Sequence, residues 1–512
     1  MIKRLLLSIL CVLLFLVSTY SVVGINTTPS SVEQSLDGGS WPMFHYNAER
    51  TGFTLSDAPE TNNVRWTYTT EGPIFWGSAA VADGYVLFTS YDMKIHCVDQ
   101  KTGEKIWKHS LHDHYLYSSP AINQGKVYVG GATDGWFPGV FCLYLNNGTD
   151  CWVRDLEDVA GLWSAVVVTN GRVYIGADGY GAAHVYCLDA SNGSIIWNYV
   201  SELGNDNVAW SSPAVAHDRL YIGLSHGDGS GSVLCLNALN GSKIWRSPTD
   251  GYVYSTPAVV DGKVYAASSK YGKFLGVVYC FDANDGTPTW TYETSDDIRS
   301  SPAIANGKLY IGSDDGFFYC LDANTGTLLW SYETGGEVRS SPAVADGKVY
   351  FGSTDGNVYC LDAETGTYIW EFFTGDDPMF PPWVRTSPAI VDGVLYIGSD
   401  NGILFALEDT IEILDVKGGI GISATIHNSG TRDLVDITWH VSIKGLRFLK
   451  FINIEKEGIL PPLEVGDSTF IKTLMFGIGK VQVTIEAYPP GVSPINVTKT
   501  GFQLGYYLLL KE

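Results

Sequence analysis

Along residues 61 to 410 the hydrophobic positions fall in short alternating runs, each bounded by Gly, Asp or Asn. "KVYFGSTDG" (348–356) and "NVYCLDAETG" (357–366) are examples. β-Branched and aromatic side chains suit a pleated, half-buried surface, so each run predicts a strand. The "TDG", "DDG" and "DNG" steps predict hairpin turns, because Gly supplies the positive φ that such turns need. No segment of this region carries a helical period.

The runs recur as a unit closed by Trp, at positions 66, 107, 152, 197, 245, 290, 330 and 370. The spacing of 40 to 48 residues predicts a propeller or solenoid. Four strands per period make one propeller blade. Inner strands are expected to start near Ser78, Ser119, Ser164, Ser212, Thr256, Ser301, Ser341 and Ser387. Third strands carry Cys97, Cys142, Cys187, Cys235, Cys280, Cys320, Cys360 and, in the last copy, Ala406. That gives eight blades. The last copy has three strands, at about 386–407, and no fourth. The first Trp strand, "VRWTYTT" (64–70), has no blade of its own, so it is expected to supply the missing edge and close the ring.

Residues 411–512 follow another pattern. "GISATIHNSGTRDLVDITWHVSI" alternates and turns at "NSG", and further strands are expected at 468–476, 480–487 and 502–510. About seven short strands in about 100 residues suggest an immunoglobulin-like sandwich. The fold class is therefore all-β: an eight-bladed β-propeller of four-stranded blades closed by an N-terminal strand, then a small immunoglobulin-like β-sandwich. The expected division is a signal peptide at 1–24, a lead-in at 25–60, the propeller at 61–410 and the sandwich at 411–512.

"LDANTGTLLW" and "LDAETGTYIW" resemble the D-A-x-x-G-x-x-x-W signature of the pyrroloquinoline-quinone-like (PQQ-like) repeat family. "VDQKTGEKIW" and "LNALNGSKIW" match it in part, and the third copy, "LYLNNGTDCW", departs from it. The lead-in "WPMFHYNAERTGF" (41–53) resembles the segment before the ring in that family. The resemblance implies a propeller in which each Trp docks between blades. "IHNSG" with "DITWHVSI" resembles adhesion-type modules of secreted proteins.

Charge separates the parts. The chain carries a formal −23; residues 1–24 hold +2 and residues 411–512 balance ten acids against ten bases, which leaves −25 on 25–410. A domain this acidic argues against nucleic acid, whose phosphates require Lys and Arg. Acidity also keeps a secreted protein soluble. Lys3 and Arg4 followed by "LLLSILCVLLFLV" read as a signal segment with Gly24 near the cleavage site, an uncleaved anchor being the alternative. No later stretch is long and apolar enough to cross a membrane. A secreted, extracellular or cell-surface monomer is the expectation.

One position varies in an organised way. The residue ahead of each inner strand is Trp76, Tyr117, Trp163, Trp210, Tyr254, Arg299, Arg339 and Arg385. Five aromatics and then three Arg are expected around one mouth of the central channel. Aromatic faces hold rings or apolar side chains, and Arg holds carboxylate or phosphate. Alternatively, Arg is neutralised by the acidic loops nearby and the aromatics plug the channel.

Cys142 and Cys151 are a disulfide candidate, on the expectation that they face each other across a hairpin. The other thiols read as small buried apolar residues. His112 and His114 form an isolated H-x-H, a weak metal signal, and no metal site is expected. Asn26, Asn147, Asn192, Asn240 and Asn496 are glycosylation candidates, although Asn-Gly is also good turn chemistry at three of them.

The resemblance implies two functional classes: quinoprotein dehydrogenases, with a vicinal Cys pair and Ca²⁺ held by Glu, Asn and Asp, and non-catalytic protein-binding propellers. This chain has no Cys-Cys dipeptide and no C-x-x-C-H. The favoured expectation is a non-catalytic binding or scaffold protein contacting protein, envelope glycan or a small ligand, with no cofactor. The alternative is a PQQ- and calcium-dependent dehydrogenase with Arg339, Trp210 and Trp163 around the quinone. A lyase or glycan-active propeller using Asp296, Asp297 or Asp376 ranks third, since no acid/base pair is legible in the spacing.

Overall fold

The computed structural model describes residues 39–111, 118–132, 138–202, 206–208, 210–270, 272–377 and 379–409, and most of 412–510. The signal segment, Asn26, His112, His114 and Tyr117 lie outside the described residues. All regular elements among the described residues are strands.

Eight sheets form an eight-bladed propeller. Blade 6 shows the pattern: Ala303–Ala305 is innermost, followed by Lys308–Gly312, Phe317–Asp322 and Leu328–Glu333, each antiparallel to the one before. The inner strands begin two or three residues later than the sequence suggested, because the Ser and Thr ahead of them serve another purpose. Seven amide-to-hydroxyl bonds run from blade to blade, such as Ser301 N to Ser341 Oγ at 2.8 Å and Ser387 N to Ser78 Oγ at 3.0 Å. In blade 3 this ring position is Ala165, not Ser164 as the sequence alignment implied; Ser164 instead accepts from Gly176 N within its own blade.

The Trp positions explain the repeat. Trp290 donates Nε1–H to the Ala323 carbonyl of the next blade at 3.1 Å, and its ring lies against Gly326. A Cβ there would stand 2.5 Å from the ring, and Gly326 has φ +73°, so the Gly is required on both counts. Tyr from the second strands adds a parallel bond, as in Tyr310 Oη to Ala363 O at 2.9 Å. In blade 8 the sheet consists of Ala389–Val391, Val394–Gly398, Ile403–Glu408 and Asn63–Thr69, with Trp66 opposite Ala406. This blade has no turn of its own for Tyr350 to reach, and Tyr350 Oη donates to Pro59 O of the lead-in at 2.7 Å.

The lead-in does more than precede the ring. Its backbone bonds the inner-strand region of seven blades in succession, from Trp41 with Val81 and Pro42 with Ile122 to Gly52 with Val344 and Asp57 with Gly393. Blade 3 is reached by a side chain. Arg50, fully buried, donates Nη2 to Val166 O at 3.0 Å, Nε to Pro213 O at 3.0 Å and Nη1 to Phe44 O. Burial without a carboxylate lowers its pKa to about 9 and pushes neighbouring His45 down to about 3.

The expected register of the outer hairpin requires correction. In every blade from 1 to 7 the Cys of the third strand faces Trp, and the residue just before that Trp is bulged. Cys142 therefore faces Trp152, and Cys151 is the bulged residue; both are free thiols in the structure. Bulges twist an outer strand and make it a poor template for pairing.

Residues 412–510 form a three-stranded sheet, Glu412–Lys417, Ile422–His427 and Ser468–Thr473, and a six-stranded sheet. The expected strand at 502–510 is instead parts of two, Ile495–Gly505 and Tyr507–Leu510, paired with each other.

Candidate functional site

Each of the seven organised positions among the described residues stands four residues before an inner strand, where the chain turns in from the outer edge of the preceding blade. Trp76, Trp163, Trp210, Tyr254, Arg299, Arg339 and Arg385 line one concave site, open to solvent at the channel mouth. Phe44 of the lead-in also lines it, with Ala165 and the hydroxyl-ring residues Ser119, Ser212, Thr256, Ser301, Ser341 and Ser387.

The aromatic side is ordered by its own contacts. Trp76 and Trp210 stack at 5.8 Å between ring centroids, and Trp210 meets Tyr254 at 5.3 Å. Trp76 (φ +50°) and Trp210 (φ +70°) both occupy the left-handed region, which costs a bulky side chain of order 1–3 kcal/mol. The surrounding blades hold that strain.

The Arg side is internally paired, the second of the two alternatives the sequence left open. Asp314 bridges two of the guanidiniums: its oxygens lie 3.1 and 3.2 Å from Arg339 and 3.5 Å from Arg299. Arg299 also meets Asp297 at 3.7 Å, and Arg339 meets Glu337 at 2.5 Å. Arg385 pairs with fully buried Asp400, and its guanidinium lies 4.6 Å from the Phe75 ring centroid and 5.3 Å from those of Trp76 and Trp383. Burial raises the carboxyls of Asp297, Asp314 and Glu337 against the pull of their Arg partners, and raises Asp400 to about 7.

Sequence reasoning missed Phe44, Asp314 and Asp400. The two acids sit in turns read only as turns: "SDDG" (313–316) and "SDNG" (399–402), where blade 7 has "STDG" (353–356). An acid at that turn position in blades 6 and 8 was the available signal.

A quinone–calcium centre finds no matching donor set. Calcium requires six to eight oxygens, whereas Asp297, Asp314, Glu337 and Asp400 are each engaged by a guanidinium. Among the described residues no group of three or more His, Cys, Asp or Glu could hold a metal ion. Asn147, Asn192 and Asn240 are exposed, and each side chain caps its own turn, as in Asn192 Oδ1 accepting from Ser194 N at 2.8 Å. Asn496 lies in the strand Ile495–Gly505, opposite Glu486.

In sequence, the chain is 32% identical over 191 residues to the quinohemoprotein alcohol dehydrogenase of Comamonas testosteroni. That match spans 32% of this chain and 26% of the dehydrogenase. The structure of that enzyme matches 75% of this chain and 83% of its own length, with TM-score 0.60 at 16% identity. BamB from Moraxella catarrhalis matches 68% of this chain and 99% of its own, with TM-score 0.53 at 18% identity. At these identities the structural likeness speaks for the fold alone. The family model described as outer membrane protein assembly factor BamB matches residues 54–138, 139–223, 201–298 and 275–410, more than half of the chain. The chain is thus a member of the PQQ-like repeat propeller family that this model defines.

Proposed function

We propose that this protein is a non-catalytic, secreted or cell-surface binding scaffold, with the channel mouth as its contact site. The observation that carries the reading is the state of the mouth. An ordered aromatic arc faces three Arg whose charges are met by carboxylates of the same wall. Such a surface recognises rings and polar groups, and its three Arg and the carboxylates paired with them are engaged with one another rather than poised for acid/base chemistry. The family's description as an assembly factor supports a protein partner over a glycan. We read the pairing of Asn63–Thr69 with Ile403–Glu408 as the closure of the ring. The two sheets of 412–510 are taken as an immunoglobulin-like spacer or second contact module.

The test is titration of the purified chain with the quinone and Ca²⁺, read by Trp fluorescence and dye reduction with alcohols and sugars. The scaffold reading expects no Ca²⁺-dependent dye reduction. Saturable quinone binding with turnover would replace it with the dehydrogenase reading, to which the sequence match with the alcohol dehydrogenase lends support.

A further inference from the structure

The mouth face is lopsided. The hairpins between second and third strands lie on the same side as the mouth, because they bond the segments entering the inner strands. Examples are Asp314 N to Asp297 O at 2.8 Å and Asp400 N to Trp383 O at 2.9 Å. In blades 3 and 4 the second strands have eight residues, and in blades 6, 7 and 8 they have five. Three further residues raise a strand by roughly 10 Å. The tall strands are flanked at their tips by extra short strands, Val159–Gly161 and Asp206–Asn207. The aromatic arc therefore stands under a high wall and the Arg arc behind a low rim.

The two sides also differ chemically. Large apolar side chains are exposed on this face: Tyr180 at 84%, Phe274 at 73% and Met379 at 78% of their full area. The loops of the low rim (295–302, 314–316, 335–342, 354–356, 375–388 and 400–402) hold nine Asp or Glu, three Arg and no Lys or His. All three Arg are paired. A formal excess of six acidic side chains over Arg remains, with Asp376 and Asp377 exposed. An anionic partner would have to displace these carboxylates and would meet repulsion on approach. A cationic one would be attracted and steered.

We propose that the mouth face docks a basic, extended segment of a partner protein. Its Lys and Arg lie along the low acidic rim of blades 6 to 8, and one apolar or aromatic side chain enters the mouth against the aromatic arc. The spread of Tyr180, Phe274 and Met379 beyond the mouth calls for a polypeptide, not a small cation. This inference rests on the mouth being the contact site and assigns the chemistry of the contact.

The experiment uses the full chain and three synthetic peptides, read by Trp fluorescence and calorimetry. One is a short peptide of Lys, Arg and Gly with a central Tyr. The second replaces its Lys and Arg by Glu and Asp, and the third replaces its Tyr by Gly. The basic peptide is expected to bind at least about tenfold more tightly than the acidic one, and to weaken as salt rises to physiological strength. Asp376→Asn with Asp377→Asn keeps the acceptor that Asp377 offers to the Met379 and Phe380 amides, so the loop is retained. That variant should lose affinity several-fold. Trp210→Ala should erase the advantage of the Tyr peptide; Phe274→Ser, on an exposed side chain, gives a second reading if Trp210→Ala unfolds. Equal binding of basic and acidic peptides overturns the proposal. So does basic binding that neither the rim nor the aromatic variants change, which would be general attraction to an acidic domain. If the acidic peptide binds better and Trp210→Ala abolishes it, the mouth stands as the site and this assignment fails. If no peptide binds, both fail.

Discussion

Blades 1 to 5 and blades 6 to 8 share one scaffold and differ at one rim. In both groups a Trp leans on a Gly of the next blade, a Cys faces that Trp and an amide ahead of the inner strand donates to a hydroxyl of the next blade. At the mouth the first group offers aromatics and, in blades 3 and 4, long strands, while the second offers paired Arg on short strands. The inside of a repeat is held constant by packing between neighbours, which every blade must satisfy alike. The mouth has no such neighbour and is free to diverge. Divergence concentrated at one face is what the proposed contact at the mouth expects.

If the scaffold is common to both groups, breaking it should cost the same order of stability in either. Trp197→Ala in blade 3 and Trp330→Ala in blade 6 each remove a large ring from a blade junction, and each should cost about 3–5 kcal/mol. The two should not be equal. Trp197 Nε1 donates to Ala238 O at 3.1 Å, whereas the buried Nε1 of Trp330 has no acceptor. Trp197→Ala should be the more damaging by about 1 kcal/mol. Urea unfolding of both variants checks this; a costlier Trp330→Ala would mean that the junctions of the two groups are not built alike.

Arg50 sharpens the comparison because it serves only one group. Its guanidinium reaches carbonyls of blades 3 and 4. Arg50→Met orphans those acceptors, each worth about 1–3 kcal/mol, while relieving the cost of a buried cation. A net loss of about 2–4 kcal/mol is expected. Amide exchange should quicken in Val167–Thr169 and Ala214–Ala216 well before Ala303–Ala305 or Ala343–Ala345. Uniform quickening would show that the lead-in holds the ring as a whole.

Asp400 probes the Arg group through pH. Burial raises its carboxyl from 3.8 to about 7, against the pull of Arg385. A proton held more tightly in the folded state stabilises at low pH, and that contribution is lost as pH rises from 3.8 to about 7. Asp400→Asn cannot ionise. The stability of the native chain relative to Asp400→Asn should therefore fall across this interval and level off above it. A flat difference would show that Arg385 keeps Asp400 ionised throughout.

The fold was legible because the repeat states it eight times. Trp, Gly and Cys recur at fixed offsets, and their packing reasons are local enough to read from spacing. The mouth was legible for a related reason: Trp76 to Arg385 differ at a position whose neighbours do not. What escaped depended on contacts between distant segments. Phe44 and Arg50 lie in a lead-in that repeats nowhere, and nothing in "FHYNAER" says that it bonds the inner strands. The residue facing Cys142 was misjudged by one position because the bulge is invisible in the sequence. The pairing of the three Arg was left open because Asp314 and Asp400 come from other hairpins.

The smallest expected effect lies at Ala165. Around the ring the amide of one blade meets a hydroxyl of the next, as in Ser78 N to Ser119 Oγ at 3.0 Å and Ala165 N to Ser212 Oγ at 2.8 Å. Between blades 2 and 3 the chain breaks: Ser119 offers an amide, and the place of the hydroxyl is taken by a methyl. Ala165→Ser would supply it. The position lines the mouth. The gain of one neutral hydrogen bond is about 0.5–1 kcal/mol. Urea unfolding of Ala165→Ser should show that gain, with no such gain for Ala165→Val, which adds bulk without an acceptor. If both variants are neutral, the Ser119 amide is already satisfied by water at the mouth and the gap costs nothing. If Ala165→Ser stabilises the chain but weakens peptide binding, the gap in blade 3 belongs to the contact site. The difference between the two groups of blades would then reach below the rim into the hydroxyl ring itself.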